Sequence, residues 1–427
     1  MVAIKKLIEK LENSKIETLK ELYGSSVEVL EEQSQRYLAL LIDFQTHFKQ
    51  DEAAFFSSPG RTEIGGNHTD HNFGRVLAGA VNMDNIAVAA KNNSNIIRIK
   101  SVGYPQFEVD LAKLLPSEEE KYTSVALVRG ISARLHEKGF HIGGFDACID
   151  GRVPKGSGIS SSACFEVLIG AIISHLFNNG TLDPVENALI GQYAENVYFM
   201  KPCGLMDQTA CSVGGLVTID FKDPANPIVK KVNFDFTKTG FALVITDTKG
   251  DHSNLNEEYA ALPTEMKAVA KALGKEVQRQ ITMDEIIEAI PSIRKIVSDR
   301  GILRAIHFQG DNQRVVDQVA ALETDDFASF LKMVIESGNS SYMYNQNIYA
   351  TNNVHEQGVS IGLALSEHIL KGKGAWRVHG GGFAGTIQAF VPHDLLDKYI
   401  HTLEHVFGKG SCYNLNIRNQ GAIQVEL

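Results

Sequence analysis

Residues 154–163, Pro-Lys-Gly-Ser-Gly-Ile-Ser-Ser-Ser-Ala, set two glycines and three consecutive serines between a strand-like segment and a long apolar run. Glycines let a backbone close on an anion with no Cβ in the way. A helix that starts here also points unpaired N–H groups and the positive end of its dipole outward. Pro154, Gly156, Ser157, Gly158, Ser160, Ser161 and Ser162 are therefore a candidate cradle for a phosphate chain, and a triphosphate with its metal ion fits. The competing reading is an ordinary serine N-cap beside a glycine turn. Three serines after Gly-x-Gly count against it. The spacing is neither G-x-x-x-x-G-K-[ST] nor G-x-G-x-x-G, which excludes a P-loop and a dinucleotide fingerprint.

Residues 59–71, Pro-Gly-Arg-Thr-Glu-Ile-Gly-Gly-Asn-His-Thr-Asp-His, follow the apolar run 53–56 and crowd polar side chains among glycines. His68, Asp70 and His71 have the atom types of metal ligands, but no helical i, i+4 pairing and no cysteine partner. Hydrogen bonding to a polyhydroxylated ligand suits them better. Taken alone, the stretch also reads as a solvated turn. Two further segments accompany it: 201–208, Lys-Pro-Cys-Gly-Leu-Met-Asp-Gln, and 378–385, Val-His-Gly-Gly-Gly-Phe-Ala-Gly.

In this order the four segments resemble those of the galactokinases of the GHMP sugar-kinase superfamily, over roughly residues 54–386. The resemblance implies an α+β fold of two domains, 1–225 and 226–427, with mixed sheets, packed helices and an active site in the cleft between domains. It implies ATP and Mg2+, and ATP-dependent phosphorylation of the anomeric hydroxyl of galactose or a close relative. By the same resemblance, residues 154–163 form the ATP-phosphate loop, with Ser162 reaching the metal ion, and Glu195 helps to hold Mg2+. Asp207 is the implied catalytic base and Arg61 the arginine beside it. His68, Asp70, Gly204 and Tyr259 fall where the family contacts the sugar, and Gly380, Gly381 and Gly382 belong to the third motif, which supports the cleft. These residue types suit the chemistry. An anomeric hydroxyl is a poor nucleophile until an aspartate takes or polarises its proton, and a guanidinium and a metal ion stabilise the charge spread over a phosphoryl transition state. The plainer alternatives are a structural Arg61–Asp207 ion pair and a solvated Glu195.

The pattern is not followed throughout. Galactokinases usually read Gly-Glu-His-Thr-Asp-Tyr where residues 66–71 read Gly-Asn-His-Thr-Asp-His. Asn67 thus replaces a glutamate that contacts a sugar hydroxyl. If that charge faced C6, a sugar carboxylate would meet about 4 kcal/mol of repulsion at ~4 Å and an effective dielectric near ~20, and Asn67 removes it. Galacturonate is accordingly an alternative substrate. Glu63 stands where the family has an asparagine; it returns an acid nearby and weakens that case. Trp376 reads as an insertion before Arg377 and as a packing residue. From another class, a sensor that binds ATP and galactose without turnover is opposed by the retained serines 160–162 and Asp207.

Several elements must position these groups. Residues 3–50 read as helices, with Ser25 or Ser26 capping one whose apolar positions Val29, Leu30, Tyr37, Leu40, Leu41 and Phe44 recur at helical spacing. Strands are expected at 85–90 and 96–102, and at 145–150, where alternation predicts a half-buried strand. Helices are expected at 123–138, from 160 through 176, and at 184–199. A strand at 215–221 leads into the turn cluster 222–228, the candidate domain boundary. Beyond it come a strand at 241–246, helices over 254–273 and 298–340, and two strands within 376–391 around a glycine hairpin. Strands cluster instead of alternating with helices, which favours α+β over a doubly wound sheet.

A chain of 427 residues exceeds what one core supports, and 44% hydrophobic with 22% charged residues is a globular composition. A net charge of −10 with no basic patch argues against nucleic-acid and anionic-membrane partners, leaving a small sugar and MgATP, with no protein partner signalled. The five cysteines are scattered and never C-x-x-C, which suggests a reducing compartment and neither a disulfide framework nor a zinc site. Residues 1–24 read as a charged amphipathic helix, not a signal peptide, and no 18-residue apolar run is apparent, so the cytoplasm is the expected location.

Overall fold

The computed structural model of the chain describes residues 1–12, 17–154, 158–250 and 255–427. Gly156 and Ser157 of the expected phosphate cradle lie outside the described residues. The fold is α+β, with one nine-stranded and one four-stranded sheet. The larger sheet runs Val2–Ala3, Glu52–Gly65, Arg75–Lys91, Phe145–Gly151, Ile96–Ser101, Phe107–Asp110. Its organising member is the 17-residue strand Arg75–Lys91. The first part of that strand pairs with Leu216–Asp220 and the last part with Phe145–Gly151. Strand Glu52–Gly65 lies along its other side, with register shifts between Pro59 and Arg61 and between Glu63 and Gly65. The smaller sheet is antiparallel, in the order Ala375–His379, Thr386–Pro392, Phe241–Asp247, Cys412–Leu415.

Both faces of the larger sheet are covered. Phe145, Ala147 and Ile149 pack with residues of helices Ser124–Glu137 and Ser161–Asn178, while Cys148 packs with Tyr37, Leu40 and Phe44 of helix Val27–Phe48. The strand expected to be half-buried is therefore buried on both sides. Its buried Asp146 is satisfied by donors from Asn92 at 2.7 Å, Gln50 at 3.1 Å and Arg98 at 3.3 Å. Apolar side chains of this kind each contribute about 1.5–3 kcal/mol on burial, which is what holds the amino-terminal helices down. Ser26 is the N-cap of Val27–Phe48, but its side chain makes no capping bond.

Other expectations shift for physical reasons. The strand foreseen at 85–90 is the end of Arg75–Lys91. The helix at 184–199 ends as Pro184–Tyr193 and continues as a single π-helical turn, Ala194–Tyr198. The stretch 298–340 is two helices, Asp299–Glu323 and Phe327–Ser340, broken where Asp325 takes a left-handed φ of 56°. Trp376 sits in regular register opposite Ala389 and packs, partly buried, against the core of the smaller sheet. Helix Ser161–Asn178 does reach 18 apolar-rich residues, yet most of it is buried in the core. The turn cluster 222–228 joins Leu216–Asp220 to Ile228–Val232, which pair with each other in the larger sheet. A boundary at 225/226 would cut this hairpin; we propose instead that the domains divide between Val232 and Phe241, where the chain changes sheets.

Candidate active site

The bulges in strand Glu52–Gly65 aim its polar residues at the loop before helix Ser161–Asn178. Gly60 is required there because a Cβ would sit 2.6 Å from Ile159 Cγ2 and 2.8 Å from its carbonyl oxygen. The Arg61 backbone N–H donates to the same carbonyl at 3.1 Å. The Arg61 guanidinium is bidentate on Asp207, with Nε to Oδ1 and Nη2 to Oδ2 both at 2.8 Å, and Nη1 donates to the Gly158 carbonyl. Such fork-on-carboxylate pairing fixes orientation as well as charge. Asp207 lies in the first turn of helix Met206–Val213, with its side chain one-third exposed.

Ser160 is the N-cap of helix Ser161–Asn178 in a left-handed conformation, φ 61°, and makes no capping bond; its hydroxyl donates to Asp207. The loop read as a phosphate cradle is thus tied directly to the carboxylate read as the base. Ser161 and Ser162 occupy the first turn of the helix, partly exposed. Gly158 has φ 70°, and a Cβ on it would come within 2.7 Å of Thr386 Oγ1 and 3.1 Å of His379 Nδ1. The strands and glycine loop of the smaller sheet therefore close against this loop. Pro154 is partly exposed at its start.

His379 was not singled out from sequence. It is buried, its Nε2 accepts the Glu63 backbone N–H at 3.2 Å, and its Nδ1 consequently carries the hydrogen and donates to Thr386 Oγ1 at 2.9 Å. Burial, and then Arg61 and Arg377, push its pKa well below the usual imidazole value. The signal was a histidine at the mouth of a triple-glycine run.

Three of the predicted sugar residues converge on that run. The carbonyls of Gly380, Gly381 and Gly382 accept in turn from Asn67 Nδ2 at 2.8 Å, His68 Nε2 at 3.0 Å and the Tyr259 hydroxyl at 2.9 Å. Tyr259 also stands edge-on to Phe383, and burial pushes its phenol up to about 12. Burial, with His71 beside it, lowers His68 to about 4. A Cβ at Gly204 would lie 2.5 Å from Asp70 Oδ2, so Gly204 and Asp70 face one another.

Asn67 is a correction. It is 0% exposed, and both ends of its amide bond protein. Nδ2 donates to Glu63 Oε1 at 2.9 Å as well as to Gly380, and Oδ1 accepts from Asn347 at 2.9 Å and Ser341 at 3.2 Å. Its amide braces the glycine hairpin and is not presented to a sugar. Glu63 continues the network through a 2.9 Å ion pair with the buried Arg377, although burial pushes its carboxyl above the usual range.

Glu195 lies on the π turn and is 2% exposed. The Gln208 amide donates to it at 2.9 Å and to the buried Glu166 at 3.0 Å. Burial, then Glu195, push the Glu166 carboxyl well above its ordinary value. Glu166 Oε1 and Gln208 Oε1 are buried without a hydrogen-bond partner. An oxygen-rich corner with so few donors fits a hard divalent cation. Among the described residues, no group of three or more histidine, cysteine or carboxylate side chains is placed to hold a metal. A cation here would therefore draw its remaining ligands from phosphate and water.

The sequence and the fold have counterparts in known proteins. Residues 42–91 match the galactokinase galactose-binding signature and residues 126–215 the GHMP kinase N-terminal domain. A galactokinase of Clostridium acetobutylicum is 30% identical over 392 residues, 88% of this chain and 95% of that protein. The structure of Lactococcus lactis galactokinase complexed with galactose superimposes with a TM-score of 0.76 at 23% identity, over 91% of this chain and all of that one. Methanococcus jannaschii mevalonate kinase shares the fold more distantly, at a TM-score of 0.60 and 13% identity over 86% of this chain and 98% of that one. Both signatures and the near full-length likeness show the family: the chain belongs to the galactokinases of the GHMP kinases.

Proposed function

We propose that the protein transfers the terminal phosphoryl group of ATP to the anomeric C1 hydroxyl of galactose, giving galactose 1-phosphate and ADP. The observation that carries this reading is Asp207, partly exposed, clamped by Arg61 and touching the loop at Ser160. In this reading, Asp207 takes the proton of the C1 hydroxyl as its oxygen attacks the γ-phosphorus. Arg61 holds the carboxylate in place and lends positive charge to the oxygens that gain negative charge in the transition state. The backbone near Gly158, with Ser160, Ser161 and Ser162, seats the phosphates, as Pro154, Gly156 and Ser157 are proposed to do earlier in the loop. Ser162 and Glu195 are the proposed holders of Mg2+, which when bound would neutralise phosphate charge. His68, Asp70, Gly204 and Tyr259 are the proposed sugar contacts.

A preference for galacturonate rested on Asn67 facing C6 of the sugar. With Asn67 enclosed by protein partners, nothing supports that preference. The test is ADP release with Mg2+, ATP and each of galactose, galacturonate, arabinose, fucose and galactosamine. Galactose should give the highest kcat/KM; binding of galactose without ADP release would instead indicate a sensor. Asp207→Asn should lower kcat by about 10²–10⁴-fold with nucleotide affinity nearly unchanged. Near-normal turnover in that variant would remove Asp207 from its role.

A further inference from the structure

Glu166, Gln208 and Glu195 come from three separate elements and meet in one buried cluster. Helix Ser161–Asn178 carries Ser162 and, one turn on along the same side, Glu166. Helix Met206–Val213 carries Asp207 and then Gln208. The π turn Ala194–Tyr198 carries Glu195, and such turns are frequent where a side chain must be redirected into a site. Gln208 Nε2 is shared between the two carboxyl groups, at 3.0 and 2.9 Å. Space around it is tight, since a Cβ on Gly191 would meet Gln208 Cγ and Glu166 Cβ and Oε2 at 3.3 Å. Lys201, a cation near Glu195, is 3.7 Å away with its side chain 60% exposed, so it anchors little.

We propose that Gln208 and Glu166 are positioning residues that together fix the Glu195 carboxylate for a divalent cation bound with the nucleotide; this rests on reading Glu195 as a cation ligand. Because Gln208 adjoins Asp207 and Glu166 follows Ser162 by one turn, the same amide also sets the spacing between the base, the cation and the phosphate loop. Ligands oriented from behind by hydrogen bonds typically lose tenfold to a hundredfold in metal affinity when the support is removed.

The test is Mn2+ binding to the full chain with ADP, followed by electron paramagnetic resonance, beside ADP affinity in EDTA. Gln208→Met and Glu166→Leu should each weaken Mn2+ about tenfold to a hundredfold, leaving metal-free ADP affinity unchanged. Glu166→Gln keeps an acceptor for the Gln208 amide and should retain Mn2+ affinity close to the parent's. That rescue separates positioning from packing. Should Glu166→Leu fail to fold, Gln208→Met, close in shape, carries the test. Glu195→Gln serves as the reference. If it weakens Mn2+ while Gln208→Met does not, the clamp is overturned and Glu195 keeps its role. If Glu195→Gln leaves Mn2+ binding intact, the cation reading and the clamp both fall.

Discussion

Asp207 rests with three donors on its carboxylate, two from Arg61 and one from Ser160, so a sugar hydroxyl must enter by displacing or joining the Ser160 bond. The proposed base is therefore coupled to the proposed phosphate loop before any ligand arrives. Two histidines near the site contribute an acid sensitivity. His379 and His68 both have folded-state values below the unfolded value of about 6.5, so below that pH the unfolded chain binds the extra proton. The stability they contribute is whole above about pH 6.5 and declines as pH falls, toward about 4 for His68. Thermal melts should show Tm falling from pH 7.5 to 5.5, and falling less in His379→Gln; an equal fall would clear His379 of responsibility. Asn67→Glu would set a second carboxyl within 2.9 Å of Glu63 in a buried space, and urea denaturation should show a loss of about 3–5 kcal/mol. Adding Glu63→Asn leaves one acid and one amide and should recover part of that loss, which a double-mutant cycle reads directly.

Among the elements, the glycine segments matter by what they leave out. Gly204→Ala would press its methyl on Asp70, so the galactose KM should rise about tenfold or more while the ATP KM barely moves; equal changes in both would argue against Asp70 touching the sugar. Much of this scale was legible in the sequence. A largely apolar run without proline announces helix Ser161–Asn178, and the lone acid in it, Glu166, is a signal of its own. The strand Arg75–Lys91 is legible only from Asn85 onward because Asn82 and Asp84 interrupt its apolar pattern like a turn. Asp84 is in fact buried among Arg36, Arg418, Ser57 and Tyr23, and Asn82 accepts from the Asn416 backbone. Asn67 was misplaced for the same reason. Its partners Asn347 and Gly380 lie 280 and 313 positions away, and a local pattern carries no information about such neighbours.

Across the whole molecule, that buried charge cluster ties distant parts of the chain together. Arg36 of helix Val27–Phe48 and Arg418 both pair with Asp84, at 2.7 and 3.1 Å, and Arg418 is fully buried. Burial alone would raise the Asp84 carboxyl, but the two guanidiniums hold it below its ordinary value. Removing one partner strands buried charge, so Arg418→Met should lower the unfolding free energy by about 3–5 kcal/mol in urea titration; a loss under 1 kcal/mol would show that Arg36 suffices. Arg418 also donates to Ser57, 361 positions earlier, and strand Ile423–Val425 pairs with Phe55, Phe56 and Ser57 on the strand that bears Arg61. During translation, the edge of that strand at Phe55–Ser57 must wait unpaired until the ribosome has made the entire smaller sheet and the strand beyond it. A nascent chain paused anywhere before residue 418 should therefore be catalytically silent and a natural client for chaperones that shield unpaired strands.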